Sequence, residues 1–342
     1  MIRQAVIADD LTGAADTGIQ FGRFGNQTLL VPHKELAGIN PGSIKGVLAV
    51  TTESRNLSPA AAGERVRQTG MAVGRLGPQM AFKKIDSCMR GNIGAEVAAL
   101  ADAFGCRGAL IAPAFPAQGR ITLHDVHYVH NIPVADGEMA RDPVSPVRVS
   151  RLSALIALQY RQPVGRIDAV DLDGDPWRLK TLVEDLLKQG RRLIVCDAAH
   201  QRHLEVVARL ANDQFPHLLL AGSAGLAQAL VRCQFEGTEV RPASMDAVGE
   251  NLLFVCGSGS DVLKSQVEAL TRKTGIPRHI MVPGRSASPS DRSDAIAKDL
   301  ASGAVVLQLA PAESLVYDND AARQLAAETA AIVRHLRPDG LF

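Results

Sequence analysis

Aromatic side chains make up only 4% of this 342-residue chain, too few for the stacking platforms that hold single-stranded nucleic acid. Charge of one sign is also lacking. With 37 basic and 36 acidic residues the net charge is +1, and without a basic stripe no nucleic-acid partner is expected. No apolar run approaches the ~18 residues of a membrane helix, and no signal-peptide core precedes the first strand-like run. The five cysteines (Cys88, Cys106, Cys196, Cys233, Cys256) are scattered and form no CxxC. They read as reduced thiols. A cytoplasmic protein with no membrane partner is expected. Zinc-site spacing, a GxSxG elbow and the lysine of a Walker loop are all absent.

What is present is an apolar content of 46%, enough for a sizeable core. Short apolar runs recur at Ala5–Ala8, Gly46–Val50, Ala109–Ala112, Ile167–Val170, Leu193–Cys196 and His217–Ala221. Helical patterns lie between several of them; one opens at Ser58-Pro59, a cap followed by a first-turn proline. With helical patterns between the strand-like runs, this alternation predicts an α/β fold with a mostly parallel sheet flanked by helices. The polar stretch "EGTEVRPASMDAVGE" breaks the pattern. It predicts a first domain over 1–235, a linker over 236–250 and a smaller α/β domain over 251–342. The smaller domain would hold strands at Asn251–Cys256 and Ala304–Leu309 and a helix at about Asn319–Leu336. The final "RPDGLF" reads as the start of another strand.

Ligand groups in parallel sheets sit at the carboxyl ends of strands. Asp9 and Asp10 lie at such an end, where they either bind a ligand or, for Asp10, cap the following helix. "KKIDSCMRGNIGAE" crowds Lys84, Asp86, Ser87 and Arg90 into a short loop before a helix. Such a loop suits a small hydroxylated anion, with arginine gripping a carboxylate and aspartate receiving a hydroxyl proton; it equally suits a surface ion network. Arg55 in "TTESRN" offers a further guanidinium, although a plain surface loop reads as well. "CGSGSDV" fits a phosphate approaching a helix start, but it lacks the third glycine and the distal acid of a dinucleotide site. "AGSAGLA" reads as close helix–strand packing. His124, His127 and His130 share no helical face and would alternate sides of a strand, so no metal site is expected there.

Taken together, "IADDLTGAADTG", "KKIDSCMRGNIGAE", "APAFPAQGRIT", "RDPVSPV", "GSAGLAQAL" and "CGSGSD" resemble, in order, the four-carbon acid-sugar kinases. The resemblance implies an N-terminal acid-sugar-binding domain and a C-terminal nucleotide-binding domain. The implied activity is ATP- and Mg²⁺-dependent phosphorylation of the terminal hydroxyl of a tetronate. "ADTGIQF" is most similar to the D-threonate branch. The resemblance implies substrate contacts from Asp9, Asp10, Arg55, Lys84, Ile85, Asp86, Ser87 and Arg90, and an ATP contact from Ser258. Its partners would be the sugar acid and ATP, with room for a homo-oligomer.

The mechanism so implied has Arg55 or Arg90 on the substrate carboxylate and Asp86, or one of Asp9 and Asp10, on the reacting hydroxyl. Lys84 would offset charge on the transferring group or the carboxylate. Family members continue into a Gly-Gly-(Glu/Asp)-Thr segment, whereas this sequence stops at Phe342. The expectation is therefore a partial nucleotide-binding domain, with a protein that only binds the sugar acid as the alternative.

Overall fold

The computed structural model describes residues 1–342 apart from 24–26, 41, 43, 235–248, 259–260, 283–288, 311–318 and 342. It divides into two compact units, Met1–Pro242 and Ala243–Phe342. Most of the expected linker lies outside the described residues.

In chain order, the first unit contains β1 (Ile2–Ala8), α1 (Leu11–Gly22), β2 (Gln27–Pro32), β3 (Gly46–Thr51), α2 (Pro59–Arg75), β4 (Met80–Lys84), α3 (Ile93–Ala103) and β5 (Gly108–Ala112). An insertion follows, with β6 (Arg120–Leu123), β7 (Val126–Val129) and β8 (Ile132–Pro133). The unit closes with α4 (Leu152–Ala157), β9 (Val164–Ile167), α5 (Ala169–Leu172), α6 (Pro176–Lys188), β10 (Leu193–Cys196), α7 (Gln201–Arg209), β11 (Leu218–Gly222) and α8 (Ala224–Gln234). Eight strands form one parallel sheet in the order β2-β3-β1-β4-β11-β5-β10-β9.

Both faces of this sheet are covered, so its central strands are apolar on both sides. Along β1, Val6 and Ala8 join a core with Ala14 and Phe21 of α1 and the apolar stripes of α6, α7 and α8. Ala5 and Ile7 face the opposite core, with Val66 and Val73 of α2, Val97 and Leu100 of α3, and Leu152 of α4. α2 begins as its sequence suggests: Ser58 Oγ accepts from the Ala61 amide at 3.4 Å and Pro59 occupies the first turn. Gly70 lets α2 approach α3, because a Cβ there would lie 2.8 Å from both Ala103 Cβ and Leu100 Cδ1.

The chain leaves β1 through α1 toward β2 and leaves β3 through α2 toward β4. These connections run in opposite directions on opposite faces. The carboxyl end of β1, between β3 and β4, is therefore a topological switch point, where open α/β sheets place ligands.

Two local expectations are corrected. The run Ile167–Val170 is not one strand: β9 ends at Ile167, and a reciprocal capping box between Asp168 and Asp171 starts α5. The insertion holds antiparallel hairpins, which the alternation of strand-like and helical runs did not predict. Its turns are His124-Asp125 (φ 51° and 67°) and His130-Asn131 (φ 51° and 65°), paired positive φ values of the kind a two-residue hairpin turn needs. Asp197 accepts from the His124 and Asp125 amides at 2.7 and 3.0 Å, tying the first turn to the main sheet.

The second unit contains β12 (Leu252–Cys256), α9 (Asp261–Thr274), β13 (Arg278–Met281), α10 (Pro289–Ala301), β14 (Val305–Leu309), α11 (Asn319–Leu336) and β15 (Gly340–Leu341). Its parallel sheet runs β13-β14-β12-β15 over a core of Leu253, Ile296, Val305, Leu307 and Leu325. The short β15 pairs with Leu252 and Leu253 of β12. No helix among the described residues is long and apolar enough to cross a membrane.

Candidate active site

Three neighbouring strand ends bring charged groups together at the switch point. β1 runs into Asp9 and Asp10, β3 leads to Arg55, and β4 leads to Asp86. Arg55 lies among the carboxylates. Its Nε donates to Asp9 Oδ2 at 2.6 Å, its Nη1 pairs with Asp10 Oδ2 at 2.8 Å, and its Nη2 lies 3.9 Å from Asp86 Oδ1. Asp10 also takes one of the two roles the sequence left open: its Oδ1 accepts from the Gly13 amide at 2.9 Å and caps α1.

Arg90 grips Asp86, with Nε donating to Oδ2 at 2.8 Å and Nη2 to Oδ1 at 3.2 Å. Its Nη1 reaches Asp142 at 3.2 Å. Burial alone would raise the Asp86 carboxyl. The hydrogen bonds and charge of Arg90, with Arg55 and Lys84 nearby, outweigh it and hold Asp86 well below the usual carboxylate range. Burial disfavours charge on Arg55 too, but Asp9, Asp86 and Asp10 more than restore it.

Lys84 is nearly buried, and among the described residues no carboxylate lies within ion-pair distance of its Nζ. Its ammonium and Asp10 Oδ1 both crowd the place a Gly13 Cβ would occupy. Ser87 follows in the same loop, and its Oγ accepts from Arg120 Nη1 at 2.8 Å. The Ile85 side chain sits in the core, and its amide donates to the Gly222 carbonyl at 3.0 Å. Ser258 lies in the second unit, exposed just after β12.

Several supporting residues lie outside the set of site residues expected from the sequence. Behind the cluster, Lys83 Nζ pairs with Glu96 Oε2 at 2.9 Å, both side chains fully buried. Burial pushes the Glu96 carboxyl up while Lys83 opposes it. Ser54 Oγ donates to Glu96 Oε1 at 2.8 Å, and Asn92 Nδ2 donates to the carbonyls of Ser54, Arg55 and Leu57 at 2.9–3.3 Å. These bonds fix the Arg55 loop. Gly91, at φ +90°, is the close approach: a Cβ there would lie 3.2 Å from Arg55 Cγ and 3.4 Å from Asp9 Oδ2. His127 on β7 reaches the Ser87 carbonyl through Nε2 at 2.8 Å and Thr122 Oγ1 through Nδ1 at 2.9 Å. A carbonyl only accepts, so Nε2 carries the proton and Nδ1 accepts from Thr122. Burial lowers the ring to about 4 against the Ser87 hydrogen bond, keeping it neutral.

The dense, mixed-charge cluster stands at the switch point of a parallel sheet, where open α/β folds place their ligands. The family model of the sugar-binding N-terminal domain matches residues 4–230, and the chain belongs to that family. The D-threonate kinase of Salmonella typhimurium is 35% identical over 268 residues, covering 78% of this chain and 60% of the relative. The D-erythronate kinase of Heliobacterium modesticaldum is 31% identical over 300 residues, covering 85% and 67%. This chain therefore spans about three-fifths to two-thirds of the length of these curated relatives. A solved Bordetella bronchiseptica protein, a domain of unknown function with bound citrate in a domain-swapped dimer, is 28% identical with a TM-score of 0.60, covering 99% of this chain and 81% of that one. A solved Salmonella typhimurium LT2 protein shares the fold with a TM-score of 0.78 at 24% identity, covering 98% and 82%.

Proposed function

We propose that this chain binds a four-carbon acid sugar, D-threonate or a related tetronate, at the carboxyl ends of β1, β3 and β4, and that phosphate passes from ATP to its terminal hydroxyl. The observation that carries this reading is the meeting of Asp9, Asp10 and Asp86 around one guanidinium, Arg55, at the switch point. It is supported by the names of the kinase relatives and by citrate, itself a hydroxylated acid, in the Bordetella bronchiseptica relative.

Phosphoryl transfer asks mainly for positioning and charge neutralisation. Asp10 has the most exposed side chain of the three carboxylates, 27% against 5% for Asp9 and 9% for Asp86. It orients the reacting hydroxyl and takes its proton. Asp86, held as a firm anion by Arg90, orients a second hydroxyl; an acid that weakly basic is a poor proton acceptor. Lys84 offsets charge on the transferring group. Asp9 holds Arg55.

In the second unit the described residues that fit ATP are Gly257 and Ser258, at a strand end before α9, where backbone amides favour phosphate. Mg²⁺ bound to ATP would neutralise phosphate charge. Asp9, Asp10 and Asp86 are taken up by guanidinium, and no group of three His, Cys, Asp or Glu side chains among the described residues is placed to hold a cation. No residue of this chain is therefore assigned to it.

The test is incubation of the chain with ATP, Mg²⁺ and D-threonate, read by ADP release and by thermal shift. Threonate-dependent ADP is the expected outcome. Thermal stabilisation without ADP would reduce the role of this chain to sugar-acid binding, and neither signal with any tetronate would reject the proposal.

A further inference from the structure

Arg55 and Arg90 spend their guanidinium groups on Asp9, Asp10, Asp86 and Asp142. A cation so engaged has little left for a substrate carboxylate. Arg120, the first residue of β6, is differently placed. Its Nη1 donates only to neutral oxygens, Ser87 Oγ at 2.8 Å and Gln118 Oε1 at 2.5 Å. Its Nε is shielded from water and donates to nothing. No carboxylate among the described residues lies within ion-pair distance. Donors shielded from water without an acceptor are costly, and a guanidinium with a free edge matches a carboxylate in a two-point fork.

The loop it reaches is held by the same hairpin, because His127 on β7 takes the Ser87 carbonyl. Arg120 and Ser87 thus form one fixed edge of the cluster. The other uncommitted cation, Lys84, stands beside Asp10 at the start of α1. We infer that Arg120 binds the carboxylate of the acid sugar, making the β6–β7–β8 insertion the element that selects acids over neutral polyols. The inference rests on the acid-sugar reading above. It places the carboxylate at Ser87–Arg120 and the reacting hydroxyl near Asp10 and Lys84.

The test uses the full chain, with D-threonate binding followed by calorimetry and binding of its neutral amide, D-threonamide, by saturation-transfer NMR. Arg120→Met keeps the apolar stem and removes the charge. Its affinity for D-threonate is expected to fall roughly 10- to 100-fold, the scale of a charge-assisted hydrogen-bond pair, while threonamide affinity changes less than about twofold on the same argument. Arg120→Lys should give a smaller loss, again confined to the acid. Equal losses for both ligands, or undiminished threonate binding in Arg120→Met, would overturn the assignment. So would a lowered melting temperature in both variants, which would make Arg120 a structural residue. Wild-type protein that binds neither D-threonate nor D-erythronate would instead sink the acid-sugar reading itself.

Discussion

Arg55 Nε donates to Asp9 Oδ2 at 2.6 Å across 46 residues of chain, and the two side chains are 15% and 5% exposed. The pair joins the ends of β3 and β1. Removing the guanidinium would leave a buried carboxylate whose other oxygen, Oδ1, already has no hydrogen-bond partner. Arg55→Met should therefore destabilise the first unit by about 3–5 kcal/mol, the usual cost of breaking a buried pair from one side. Urea denaturation measures it; a loss under about 1 kcal/mol would mean water reaches Asp9.

Asp10→Asn separates the two functions of that residue. Asparagine caps helices as well as aspartate does, so α1 and the melting temperature should persist. If Asp10 takes the hydroxyl proton, turnover should fall by roughly 100-fold or more. A variant as active as wild type, measured by ADP release, would remove Asp10 from the reaction.

Gly91→Ala places a methyl group against Arg55 and Asp9 at a φ of +90°. The backbone strain costs about 1–3 kcal/mol. Because the nearest atoms are those of the cluster, threonate affinity should fall along with stability. Calorimetry showing full affinity in a destabilised protein would detach Gly91 from the site.

Two buried groups give the stability a pH dependence. The folded His127 ring titrates at about 4 against an ordinary 6.5. The unfolded chain therefore binds the extra proton first as pH falls. Stability is whole above about 6.5 and declines toward pH 4, by at most about 3 kcal/mol. Urea midpoints at pH 7 and 5 should differ less in His127→Gln. Glu96 acts with the opposite sign, and more strongly in Lys83→Met: already pushed up by burial, it loses its partner and prefers its proton. The Glu96 contribution in that variant should be whole below the ordinary carboxylate range and be lost as pH rises, and Glu96→Gln added to it should remove that part of the slope.

What the sequence discloses of this molecule follows local physics. β1, β3, β5 and β10 are apolar runs buried on both faces, and Asp9–Asp10 marks a strand end because an apolar run stops there at two adjacent carboxylates. The Lys83–Glu96 pair is illegible because a lysine inside a strand reads as solvent-facing until helix α3 is packed over it. Arg120 escapes for a similar reason: its meeting with Ser87 spans 33 residues and depends on hairpin turns built from His-Asp and His-Asn. Ile85 shows the opposite limit, a motif position whose side chain belongs to the core.

The central claim is that the strand-end cluster around Arg55 is a receptor for a short hydroxylated acid. Calorimetric titration of D-threonate into the wild-type chain and into Asp10→Asn tests it most directly. The account predicts saturable one-to-one binding to wild type, weakened in Asp10→Asn at unchanged melting temperature. No heat with D-threonate, D-erythronate or a 3-oxo-tetronate, from a protein that melts cooperatively, would contradict it.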